Sequence, residues 1–245
     1  MLLKADFHIH TREDKENNIL YNAKELIDNA YKKGFDVISI TNHNLITFSK
    51  ELKEYARKKN IILIPGCEIS INRKHVLLIN IEDFGSIKKI DDIKKLKKKN
   101  NLIIAPHPYF PGMQSIGSLL NNNKDIFDAV ELCHFYSPKL NFNREAIRFA
   151  NKNNIPLIAN SDSHIPEQFG NCYSYIDAEK EINSIINAVK KGKIIVYAPP
   201  LTIFRMILIY LKIIKNKKSF YKIFQRLTGI AVRLFNIKDV KRKIK

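Results

Sequence analysis

Cysteine is scarce in this sequence. Its 245 residues hold three, Cys67, Cys133 and Cys172. They are odd in number, far apart and never spaced C-x-x-C, which argues against a disulfide framework or a zinc ribbon and fits a reducing compartment. No P-loop glycine pattern and no G-x-S-x-G elbow are found, so those chemistries get no support. Long apolar runs are missing too. The longest, Leu201 to Ile214, is 14 residues and carries Arg205, too short to span a bilayer comfortably. The chain turns polar by Lys4, so no secretory signal is expected and the expected location is cytoplasmic. Acid is nearly absent from one end. Residues 199–245 hold 13 Lys+Arg and one acid, Asp239, whereas residues 1–198 hold 29 basic and 23 acidic residues.

Hydrophobic residues make up 45% of the chain, enough for the packed core of one sizeable α/β domain. Short apolar runs predict strands at Met1–Phe7, Phe35–Ile40, Ile61–Ile64, Leu102–Ala105, Ala129–Leu132 and Ile155–Ala159. Helix patterns separate most of them: Ala23–Lys33 (capped by Asn22, stopped by Gly34), Phe48–Lys59, Ile87–Lys99 and Asn141–Asn151. Ile69–Ile71 and Val76–Ile81 predict a hairpin turned at Asn72-Arg73-Lys74, and a short helix is expected within Ser115–Asn122. Tyr173–Ile176, a helix over Glu179–Lys190 and Ile194–Tyr197 follow, and Pro199-Pro200 marks a boundary. This is the spacing of βα units and implies a parallel sheet.

The chemistry collects at strand ends. Of seven histidines, six (His8, His10, His43, His107, His134 and His164) lie at or just beyond the end of an apolar run, and His75 starts one. Any one alone reads as a satisfied loop residue; all seven so placed read as a metal site. In a parallel barrel the strand C-termini share one face, so His8, His43, Glu68, His107, His134 and Asp162 would converge at one mouth. Asp162 and His164 stand two apart after the strand Ile155–Ala159, which puts both on one side of an extended segment. Imidazoles mixed with carboxylates suit Mn, Zn or Fe rather than Ca or Mg. The seven histidines with Glu68 and Asp162 exceed what one tetrahedral ion needs and suit two or three divalent ions, with Glu68 or Asp162 bridging. Paired ions clamp the attacking and leaving oxygens of a phosphoryl displacement.

Five stretches, Asp6-Phe7-His8-Ile9-His10-Thr11, Ile40-Thr41-Asn42-His43-Asn44, Pro65-Gly66-Cys67-Glu68-Ile69-Ser70, Pro106-His107-Pro108 and Asn160-Ser161-Asp162-Ser163-His164, together resemble the PHP (polymerase and histidinol phosphatase) superfamily over residues 1–198. The resemblance implies a distorted (β/α)7 TIM-like barrel, a di- or trinuclear metal centre and metal-dependent phosphoesterase activity. Matched motif by motif, it implies that His8, His10, His43, Glu68, His107, Asp162 and His164 are metal ligands. His75 resembles the histidine that opens the strand after the glutamate in smaller members, and His134 stands where some members have a ligand. Two places depart from the family. Thr41-Asn42-His43 replaces Thr-Asp-His, removing a carboxylate behind the ligands. Thr11-Arg12-Glu13-Asp14-Lys15 replaces a Ser-Asp-Gly-like segment and leaves Asp14 as a candidate ligand. Asp6 is expected to orient His8 or His10.

Catalytic roles are expected for Asp162, His164 and Arg12. Arg12, directly after His10-Thr11, is the first candidate for holding phosphate and Arg73 the second. Tyr109 and Phe110 either stack on a base or close the barrel end. The expected function is hydrolysis of a phosphate ester of a small phosphorylated metabolite or nucleotide. The alternatives are a 5′-end exonuclease on short RNA or DNA, and a non-catalytic membrane- or nucleic-acid-binding module with a retained metal site.

Residues 199–245 form a second unit, a basic helical extension. Phe220, Ile223, Phe224, Leu227, Ile230, Ala231, Leu234 and Phe235 repeat at three- and four-residue spacing, with Lys222, Arg226 and Arg233 elsewhere, as in a cationic amphipathic helix. Three readings fit: packing on the barrel or self-association, an anionic membrane surface that would make the protein peripheral to the membrane, or nucleic acid phosphates.

Overall fold

Nine strands form one sheet in the computed structural model, which describes residues 1–216. The chain runs β1 (Leu2–Ile9), α1 (Ala23–Lys32), β2 (Val37–Ile40), α2 (Lys50–Lys58), β3 (Ile62–Ile71), β4 (Lys74–Ile79), a 3₁₀ segment (Ile90–Leu96) and β5 (Leu102–Ala105). It continues through α3 (Leu119–Asn122), β6 (Ala129–Leu132), α4 (Asn143–Asn153), β7 (Leu157–Ala159), β8 (Tyr173–Asp177), α5 (Ile182–Lys190), β9 (Ile194–Tyr197) and α6 (Ile203–Asn216). The order in the sheet is β7-β6-β5-β4-β3-β2-β1-β8-β9. β1, β2 and β3 pair in parallel, as do β5, β6 and β7, and β4 enters antiparallel between the two groups. The result is a nearly closed, TIM-like barrel.

Closure between β7 and β1 is made without a regular ladder. Asn160 Oδ1 accepts the Phe7 amide at 2.9 Å, Asp6 Oδ1 accepts the Ser161 amide at 3.2 Å, and Ser163 O accepts the His10 amide at 3.1 Å. The segment that follows β7 therefore zips the barrel shut and carries Asp162 and His164 at the same time. On the far side of β1, β8 and β9 extend the sheet antiparallel.

A bulge in β1 decides what faces inward. Ala5 and Asp6 pair with Val37 and Ile38, yet Ile9 pairs with Ile40, so β1 holds one extra residue. Before it, Leu3, Ala5 and Phe7 pack in the interior with Leu77, Ile104 and Ile158. After it, Ile9 packs outward against Leu26 and Ile27 of α1. The shift re-aims His8 and His10 toward the barrel axis, a common use of bulges beside active sites.

Local sequence explains most elements. Asn22 accepts the Glu25 amide while Glu25 returns a bond to the Asn22 amide, a reciprocal cap that opens α1. Gly34, at φ 67°, ends the helix in a conformation that disfavours a β-carbon. Two expectations need correction. Ile87–Lys99 is not an α-helix; only Ile90–Leu96 is helical, and as 3₁₀. Its apolar residues Ile87, Ile90, Ile93 and Leu96 recur every three positions and all meet the same core cluster, which matches three residues per turn. Ile61–Ile64 and Ile69–Ile71 are not separate strands, because β3 runs through Pro65 and Gly66. A Cβ on Gly66 would lie 2.4 Å from Ser39 Oγ and 2.9 Å from Leu78 O, so only glycine lets β2, β3 and β4 approach this closely. Glu68 thus stands inside a ten-residue strand rather than at its end. The hairpin turn is Asn72-Arg73 alone, both with positive φ, as a two-residue turn requires.

α6 packs on the barrel through Met206 and Ile209, which are buried with Leu201 and Ile165. The periodic apolar positions from Phe220 to Phe235 lie outside the described residues.

Candidate metal centre

Eight of the nine sequence-predicted ligands meet in one buried cluster. Glu68, on β3, lies at its middle. Its Oε1 is 3.4 Å from His8 Nε2, 2.8 Å from His75 Nδ1 and 3.6 Å from His107 Nε2. Its Oε2 is 3.4 Å from His10 Nε2 and 3.1 Å from His43 Nε2. Asp162 Oδ1 lies 3.2 Å from His8 Nε2, 3.4 Å from His10 Nε2 and 3.4 Å from His164 Nδ1. Four groups could each hold an ion: His8, His10 and Glu68; His43, Glu68 and His75; His8, His107 and Asp162; and His10, His43 and His164. His8, His10, His43 and Glu68 each belong to two of them.

Two of these residues hold unusual backbones. His107 has φ 30° and Asp162 φ 46°, a region that non-glycine residues enter at a cost and that recurs at functional sites. Asp162 therefore does not continue an extended strand, as the spacing predicts, although it and His164 still reach the same cluster.

Behind the imidazoles stands a second set of carboxylates. Glu131, the one charged residue of β6, receives His8 Nδ1–H at 3.0 Å. It also accepts the His107 amide at 3.0 Å and Asn160 Nδ2 at 2.8 Å. Asp14 Oδ2 lies 3.0 Å from His10 Nδ1 and 2.7 Å from His43 Nδ1, and accepts the His43 amide at 2.9 Å. Each carboxylate holds a proton on Nδ1 and turns Nε2 to the cluster. Asp14 is placed as a support of His10 and His43, and restores the carboxylate that Asn42 lacks. Asn42 instead staples two loops, accepting the Thr11 amide at 2.8 Å and donating to the hydroxyls of Thr11 and Thr47. Asp6 accepts the amides of His8 and Ser161 rather than an imidazole, so it ties strands together and Glu131 does the orienting.

Gln168 was invisible in the sequence. Its Oε1 accepts the amides of His164 and Ile165, which leaves Nε2 to donate to His134 Nε2 at 2.8 Å. The His134 proton is thereby assigned to Nδ1. His134 lies in the cavity wall but joins none of the four groups. Arg12 is not brought to the site. Its guanidinium is half exposed and binds Leu20 O and Glu25 at the start of α1. Arg73 is at the hairpin tip, against Met113.

Electrostatics bind the cluster together. Burial favours neutral Glu68, yet His75, His8 and His43 hold it well below the usual carboxylate range. Asp162 is depressed likewise, burial being outweighed by His8, His10 and His164. Burial also opposes charging His10, but Asp14, Asp162 and Glu68 raise it to about 10. Burial and His10 work against His43, which Glu68 and Asp14 nevertheless raise to about 9. Burial, then His10 and His43, push His164 down to about 3. Burial alone lifts Asp6 to about 7. The Nε2 atoms of His8 and His10 are buried without a hydrogen-bond partner among the described residues, while carboxylate oxygens crowd them. Imidazole nitrogens and carboxylate oxygens that converge on one point are a donor set that a divalent cation fits once it displaces the imidazole protons.

A cavity of about 320 Å³ opens onto this cluster. Phe110, Phe135, Tyr210 and Ile213 give it an apolar wall, and Glu16 and Asn17 also line it.

A family model described as PHP-associated matches residues 141–194. The structure is similar to a two-domain protein from Bacteroides vulgatus ATCC 8482 that contains a predicted PHP-like metal-dependent phosphoesterase. The two share 22% identity and a TM-score of 0.62, over 80% of this chain and 65% of the other. The chain carries the PHP-like fold. A lesion-specific endonuclease from Pyrococcus furiosus shares that fold at 20% identity and a TM-score of 0.58, over 80% of this chain and 58% of the endonuclease. The chain thus spans less than two thirds of either solved structure. An uncharacterized protein of Methanocaldococcus jannaschii is 28% identical over 144 residues, 55% of this chain and 83% of that protein.

Proposed function

We propose that this protein hydrolyses a phosphate ester, of a small phosphorylated metabolite or a nucleotide, at a centre of two or three divalent ions. One observation carries the reading: Glu68 and Asp162 are each shared among several imidazoles, so that four ligand groups overlap. A single structural ion needs one closed set of four. The donors suit Mn, Zn or Fe. When bound, such ions supply Lewis acidity at the phosphoryl group and a water acidified toward neutral pH.

The chain's own residues do the rest. Glu131 and Asp14 keep His8, His10 and His43 with Nε2 inward. His164 Nδ1–H donates to Asp162 O at 3.0 Å, which frees its Nε2 for the cluster. Asp162 and His164, both in the cavity wall, complete the donor set on the side that faces the substrate. Among the described residues no Lys or Arg lines the cavity, so Arg12 has no part in this scheme and phosphate charge is met by the centre itself. The apolar wall suits the esterified group and keeps water from it.

A second reading is removal of nucleotides from the 5′ end of short RNA or DNA. It draws on the likeness to the Pyrococcus furiosus endonuclease and on the basic residues 199–245. A non-catalytic module is disfavoured by a complete overlapping ligand set. The test is Mn²⁺-supplemented turnover of nucleoside monophosphates, sugar phosphates and 5′-phosphorylated RNA, with Asp162→Asn as control. Release of phosphate from a monoester, lost in the variant, supports the reading. Release of mononucleotides from RNA selects the second reading, and no turnover by metal-loaded protein removes both.

A further inference from the structure

We infer that α6 lays its outer face on an anionic lipid surface. The helix divides its apolar residues between two sides. Met206 and Ile209 are buried against Leu201 and Ile165, and Ile213 joins them. Phe204, Ile207, Leu208 and Leu211 turn outward; Phe204 is 70% exposed and Leu211 57%. Their spacing of three, one and three places them in one stripe along the helix. Arg205, Lys212 and Lys215 share the helix, and residues 217–245 add ten Lys+Arg against Asp239. Lys212 pairs with Glu167 on the barrel.

The choice of occupant follows from that combination. A second copy would bring together two strongly basic segments that repel one another. Nucleic acid would match the charge and leave the apolar stripe in water. Another protein would find Lys212 and Lys215, of a type that interface cores exclude, next to Leu211 and within a turn of Leu208. A bilayer interface takes both features at once, since apolar side chains enter the acyl boundary while Lys and Arg reach anionic headgroups. No described helix is long and apolar enough to cross a membrane. Tyr210 and Ile213 of the same helix line the cavity, so the helix that docks is also part of the cavity wall. The inference is independent of the chemistry performed there.

The full chain is sedimented with vesicles of phosphatidylcholine alone or mixed with phosphatidylglycerol, at low and high salt. Binding should require phosphatidylglycerol and fall with salt. In the Phe204→Asp/Ile207→Asp variant, whose thermal melting should match the parent because both positions are exposed, binding should weaken at least about tenfold from the lost apolar burial. Absence of binding, equal binding to neutral vesicles, or equal binding by the variant overturns the inference. So does light scattering that shows a parent dimer and a variant monomer without vesicle binding, which would give the stripe to a second copy.

Discussion

Glu131→Gln is the substitution that probes the supports of the cluster most closely. The carboxylate takes bonds from three buried donors: His8 Nδ1, the His107 amide and Asn160 Nδ2. Glutamine keeps the shape but offers one oxygen and one NH2. If the oxygen stays toward His8 and Asn160, the His107 amide faces an NH2; if it is turned, Asn160 does. One buried donor left unsatisfied costs about 1–3 kcal/mol. The same change removes the charge that holds the His8 proton on Nδ1. Loss of such an outer carboxylate typically lowers metal affinity by roughly 10–100-fold, or about 1.4–2.7 kcal/mol at the usual free energy per decade. Urea unfolding of the metal-free protein reads the first cost, and calorimetric titration with Mn²⁺ or Zn²⁺ reads the second. A variant equal to the parent in both would refute the reasoning. A stability loss with unchanged affinity would leave Glu131 as a strand tie and refute its role behind His8.

Other outcomes follow from the same geometry. Asp14→Asn removes the shared acceptor of His10 and His43 and should weaken metal binding roughly 10–100-fold, by the same titration. Asn42→Asp, which restores Thr-Asp-His, loses the donors to Thr11 and Thr47 and should cost about 1–3 kcal/mol in urea without tightening metal. Arg12→Ala should leave kcat/KM within about twofold, because an exposed ion pair contributes little. The pH dependence of the metal-free protein has a definite sign. His10 and His43 are raised to about 10 and about 9 in the fold, so their contribution is complete below the ordinary histidine value near 6.5 and is lost as pH climbs toward 10. Thermal melting should therefore fall across that window. Metal uptake must displace those protons, so calorimetry in buffers of different ionisation enthalpy should show proton release, and apparent affinity should rise with pH.

The sheet and the inner ligands were legible because each rests on local chemistry. Asn22 and Gly34 bracket α1 by capping and by positive φ, and apolar runs separated by helix patterns imply strands whose ends share a face. Histidine beside those runs then pointed to one mouth. The outer carboxylates were harder to see. Glu131 carries a signal only in hindsight, as the lone charge in Ala-Val-Glu-Leu, and its partner His8 is 123 residues away. The bulge in β1 has no local mark at all, since it is fixed by pairing with β2. Arg12 misled because nearness in sequence to His10 is not nearness in space: the chain turns after Thr11 and carries the side chain to α1. The 3₁₀ segment is hard to read because over ten residues an apolar period of three differs little from one of 3.6.

The central claim is that one carboxylate, Glu68, joins more than one ion. The direct measurement is metal content per chain after reconstitution and desalting, by mass spectrometry, for the parent and for Glu68→Gln. Two or three ions in the parent, falling to at most one in the variant, is the predicted result. One ion or none in the parent, or a variant that keeps the full complement, would contradict it.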